Sequence, residues 1–103
     1  MIGLGTWEAK VNTMFYKGSV KVNIFDNGGE YGFEVFVPDF DVPDINVVSV
    51  EEEDSHITAV VTTSVLPGKE ITLDVDIEDD FLTGFVKIPF LGKVKLTDCR
   101  KIA

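Results

Sequence analysis

Few residues of the kinds that usually announce catalysis are present. The 103-residue chain has one cysteine, one histidine, one tryptophan and only nine Lys and Arg against 18 Asp and Glu. A lone cysteine forms no internal disulfide, so Cys99 fits a reducing compartment and points to the cytoplasm. With a net charge of −9 and no basic patch, the surface repels phosphate backbones, and nucleic acid is not an expected partner. No apolar run reaches the length of a membrane span. Met1-Ile2-Gly3-Leu4 has neither the basic start nor the apolar run of a signal peptide. Long stripes of 3.6-residue period are missing as well, which excludes a helical bundle.

Chemistry-bearing constellations are equally scarce. His56 sits beside the acidic run Glu51–Asp54 and reads as a solvated turn residue whose protonation carboxylates would favour. Cys99 falls on the outward parity of the last strand, and no second histidine exists to activate it, so it reads as a passive thiol. The acidic turns lack the spaced ligands of a calcium loop, and Asp74 and Asp76 project to solvent. No phosphate-cradling glycine loop, zinc spacing or Ser/His/Asp order occurs. The expectation is a protein that is not an enzyme and uses neither cofactor nor metal.

What is present is alternation. Hydrophobic residues make up 45% of the chain, rich in Val, Ile and Phe, enough for one core in a single domain over 1–103. A strand over 6–13 turns Trp7, Ala9 and Val11 to one face, and one over 19–25 turns Val20, Val22 and Ile24. Asp26-Asn27-Gly28-Gly29 supplies positive-φ residues for a tight hairpin into 30–37, with Tyr31, Phe33 and Val35 inward. Two prolines, Pro38 and Pro43, mark a wider connection. The strand over 45–51 has apolar residues on both faces and implies a bulge or a covered outer face. Strands over 56–65, 70–77, 82–88 and 93–100 complete the set, the last with Val94, Leu96 and Asp98 inward. Asp98 is expected to pair with Arg100 or a backbone amide, since a lone buried carboxylate is costly.

Eight short strands joined by hairpin-sized turns predict an all-β, eight-stranded antiparallel up-and-down meander barrel. Pairing the last strand with the first would remove both free edges. Gly5-Thr6-Trp7 at the start of the first strand, with Arg100 near the end of the last, resembles the lipocalin/calycin group of barrels. That resemblance implies that Trp7 plugs the closed end and that Arg100 packs across it. The chain is shorter than true lipocalins and has no disulfide.

Up-and-down connectivity sorts the turns into two sets. Both chain ends and three acidic turns share one end of the barrel, while Phe15, Tyr16, Phe40, Leu66, Phe90 and Leu91 ring the other. These rim residues either fold inward to plug the mouth or stay exposed and bind something. With Tyr31 and Phe33 inside, they form the candidate site for an apolar or aromatic small molecule. The alternative is a packed barrel without ligand, docking another protein or forming a homodimer through the rim or through outward Phe36, Val60 and Phe85.

The charge alone carries a prediction. Repulsion among copies should vanish near the sequence pI of about 4.3, so light scattering should rise as pH falls toward it. Scattering that stays flat over that range would remove charge as the source of solubility.

Overall fold

The computed structural model describes residues 2–13, 17–38, 45–89 and 91–103. Eight strands lie among them: β1 (Gly5–Asn12), β2 (Lys17–Asn27), β3 (Glu30–Phe36), β4 (Asn46–Glu53), β5 (His56–Thr62), β6 (Ile71–Glu78), β7 (Phe81–Ile88) and β8 (Gly92–Lys101). All pair antiparallel in one sheet of order β3-β2-β1-β8-β7-β6-β5-β4, a meander nearly closed into a barrel. No helix long and apolar enough to cross a membrane occurs among the described residues.

The expected pairing of last strand with first is present, with Trp7 opposite Lys101 and Glu8 opposite Arg100. Backbone bonds from the Thr6 amide to the Ala103 carbonyl and from the Ile102 amide to the Thr6 carbonyl extend it. Gly5 permits this approach. It adopts φ 135°, and a Cβ there would fall 2.4 Å from a Lys101 side-chain carbon and 2.6 Å from the Ala103 oxygen.

The core sits where period two places it. Trp7, Ile24, Ile57 and Val75 are fully enclosed, with Ala9, Phe33, Ala59, Leu82 and Leu96 packed around them. The Trp7 indole N–H donates to the Gly3 carbonyl at 2.7 Å, so its polar atom is satisfied inside the apolar cluster. Short turns follow from their residues. Gly28 and Gly29 take the positive φ expected of them, and Asp54 and Asp79 take φ near 55° in the next two turns at that end. Asp tolerates the left-handed region because its short side chain bonds locally, which gives two of the acidic turns a backbone role.

Three expectations need correction. First, closure is incomplete: β3 and β4 are the ends of the sheet order, so two edges remain. No tight hairpin sets their register, and both strands carry acids without a single base, so zipping them would oppose like charges. Second, β8 contains an extra residue. Glu8 faces Arg100 while Lys10 faces Thr97, and on the other side Leu82 faces Cys99 while Gly84 faces Leu96. Asp98, at φ 49°, sits in this bulge, which reverses the parity beyond it. Cys99 is therefore buried rather than outward, and Asp98 and Arg100 are exposed rather than inward. Third, Arg100 shares the outer face with Glu8 and the exposed Phe81, so it does not pack across the barrel's end as the resemblance implied. Of the two alternatives for 45–51, a bulge or a covered outer face, the bulge is present, between Val47 and Ser49.

Trp7→Ala should cost about 3–5 kcal/mol, a large part of the roughly 5–15 typical of a domain, whereas Arg100→Ala on the outer face should cost far less. Urea midpoints of the two variants check the order. Weak iodide quenching of native Trp7 fluorescence is the companion expectation, and free quenching would place the indole outside the core.

Candidate functional site

Meander order brings three turns and both chain ends together, and the hydrogen bonds there show the meeting. The Ile77 amide donates to the Ser55 carbonyl and the Lys101 amide to the Asp80 carbonyl, each at 2.8 Å. At the same end the Ile2 amide donates to the Tyr31 hydroxyl at 2.7 Å and to Glu52 Oε1 at 3.2 Å. The Tyr31 hydroxyl donates in turn to Glu52 Oε1. Tyr31 lies on β3 and Glu52 on β4, so this latch spans the seam that the backbone leaves unpaired.

Beside the latch, the two edges flank an open cleft of about 440 Å³ walled by Glu30 and Tyr31 on one side and Val47, Val48 and Val50 on the other. Val48 is 55% exposed because the β4 bulge turns it out, Val47 is 37% exposed, and Phe36 on β3 is 52% exposed. Charge around the seam has one sign. Between Val22 and Gly68 the chain holds ten acids and no Lys or Arg.

The electrostatics of the latch follow from its geometry. Burial, and then the Glu52 carboxylate beside it, push the Tyr31 phenol from 10.0 up to about 12. The phenol's hydrogen bond holds the Glu52 carboxyl below its ordinary range. Both shifts favour a neutral phenol donating to a charged carboxylate.

The expected ligand-contacting residues divide. Tyr31 is half-buried in the seam and stacks on Phe33, ring centroids 6.1 Å apart and 14° from parallel, while Phe33 itself belongs to the core. Tyr31 thus serves the acidic end rather than the far rim. Leu66 and Leu91 are half-buried at that rim, beside Val65 at 51% exposure. Phe15, Tyr16, Phe40 and Phe90 lie outside the described residues.

His56 is not merely solvated beside Glu51–Asp54. Its Nε2 stands 2.6 Å from Asp74 Oδ1 and its Nδ1 2.7 Å from Asp76 Oδ1, on the outer face of β5 and β6. Both ring nitrogens meet acceptors, which only the doubly protonated ring can satisfy. The Asp76 hydrogen bond is the main cause that raises its pKa above 6.5. This clamp stabilises the fold below the ordinary histidine range and loses that effect as pH rises through the raised value. Cys99, pushed up to about 11 by burial, is a poor nucleophile at neutral pH. Among the described residues no group of three His, Cys, Asp or Glu is placed to hold a metal ion.

The seam itself escaped sequence reasoning. Its signal was available as the long interval free of Lys and Arg, combined with prolines where a hairpin between β3 and β4 would have to form. No protein-family model, curated protein or solved structure matches the chain.

The latch can be tested by removing one oxygen. Tyr31→Phe should lower the urea midpoint at neutral pH, because Ile2 and Glu52 lose their shared partner. Glu52's folded pKa lies below its unfolded one, so the latch's contribution is present above the ordinary value of 4.5 and lost as pH falls through the depressed value. Wild type and variant should therefore converge in acid. A gap of constant size at every pH would assign the phenol a packing role alone.

Proposed function

We propose that this chain is a binding module of calycin-like form whose contact is made at the seam between β3 and β4. Two unpaired strand edges flanking a cleft of about 440 Å³, with Phe36, Val47 and Val48 exposed along them, carry the reading. Exposed edges are normally covered or blunted, and grouped apolar surface on a small protein marks contacts. The calycin likeness rests on Gly5, on the enclosed Trp7 and on the eight-stranded meander. A buried single thiol suits a reducing, cytoplasmic setting.

The second reading places an apolar or aromatic small molecule at the far rim. It is favoured by the exposed Val65 beside half-buried Leu66 and Leu91. That reading needs Phe15, Tyr16, Phe40 and Phe90 to complete the ring. A hydrophobic probe dye separates the two. Val47→Ser with Val48→Ser should sharply reduce dye fluorescence, while Phe15→Ser with Phe90→Ser leaves it nearly unchanged. The reverse result moves the contact to the rim, and dye binding that survives both pairs of changes defeats the seam.

A further inference from the structure

Resting on the seam as the contact, we propose that its occupant is an extended polypeptide strand alternating apolar and basic side chains, lying between β3 and β4 as a ninth strand. The backbone supplies the first reason. β3 and β4 end the sheet order, so each presents an edge of amide and carbonyl groups without a ladder partner, and an added strand satisfies both edges once the Tyr31–Glu52 latch opens to admit it. A small molecule occupying the cleft would leave most of those groups as they are.

Register supplies the second reason. Val47 faces Val61 and Val50 faces Ala59, while Tyr31 and Val35 share the parity of Phe33, so these side chains turn toward the barrel interior. Ser49, Glu51 and Glu53 face Val60, Thr58 and His56 on the outer side, and Glu30 and Glu34 do the same on β3. A strand between them inherits this alternation. Its inward residues meet Val47, Val50, Val35 and Tyr31, which selects apolar side chains, with Glu52, opposite Ile57, the one acid on that face of the two strands. Its outward residues lie between two rows of glutamates, which selects Lys or Arg.

Charge also decides against the other strand donor at hand, a second copy of this chain. Each copy carries −9, and the seam belongs to an interval without Lys or Arg, so edge-to-edge pairing of two seams would set acids against acids. The pattern that bars self-pairing is complementary to a basic strand. The barrel already accommodates one such pattern, since β8 opens with Lys93, Val94, Lys95 and Leu96, the valine and leucine buried and the lysines exposed.

The test uses a labelled synthetic peptide of alternating valine and lysine, read by fluorescence anisotropy and by amide hydrogen exchange of the protein. Its comparisons are a valine–glutamate peptide and a valine–lysine peptide N-methylated along its backbone. The valine–lysine peptide should bind at least about tenfold tighter than either comparison, a difference of about 1.4 kcal/mol, and should slow exchange in β3 and β4. Glu34→Lys with Glu51→Lys, both at exposed positions, should weaken it by a similar factor without loss of folding. Equal binding of the N-methylated peptide would reduce the contact to bare charge and overturn the proposal, as would protection confined to other strands. If the dye maps to the seam while the valine–lysine peptide does not bind, the strand occupant fails and the seam survives. If the dye does not map there either, both fail.

Discussion

Pairing of the first strand with the last is the constraint on which this molecule depends. Every other ladder joins neighbours in sequence and could form in an open meander. Only β1 with β8 bends the sheet round so that Trp7, Ile24, Ile57 and Val75 converge in one enclosed cluster. The cost is loop closure over nearly the whole chain, which is repaid only when the core forms. Gly5 lets β1 approach Lys101 and Ala103, and the Trp7 indole finds its acceptor two residues before Gly5, so the entry to β1 is fixed by both.

Much of this was legible in the sequence, for a definite reason. One face buried and one solvated imposes period two, and the strands therefore fall within a few residues of where alternation puts them. The bulge in β4 announced itself because Val47 and Val48 are adjacent and apolar, which breaks the period visibly. The bulge in β8 did not. Its left-handed residue is Asp98, and the break is only a pair of polar residues, Thr97 and Asp98, between Leu96 and Cys99, which strict period two assigns to opposite faces. One slipped residue inverted Cys99, Asp98 and Arg100 together, which is the cost of a period of two. The candidate site was harder still, because an open seam is a property of two strands that fail to pair. Alternation describes single strands and is silent on that.

The acids do several different things here, and net charge conceals the distinction. Asp54 and Asp79 hold left-handed turn positions, Asp74 and Asp76 hold both nitrogens of His56, and Glu52 receives the latch across the seam. The turn positions depend on backbone conformation, whereas the His56 ion pairs are exposed and weaken in salt. The rows of Glu30, Glu34, Glu51 and Glu53 make no comparable bond across the seam and act through their field, which salt weakens.

An unpaired edge left apolar and neutral would recruit any strand, including its own kind, and would lead toward aggregation. An edge covered entirely with charge would recruit none. The seam combines the two: valines and Tyr31 turned inward beside the latched Glu52, the other acids turned outward, and backbone groups unpaired between them. Such an edge is selective because its two faces impose separate conditions on the same strand, and period two forces a partner to meet both in register. The charge that opposes pairing of two like edges and the charge that would choose a partner are then the same residues, acting on strands of opposite sign.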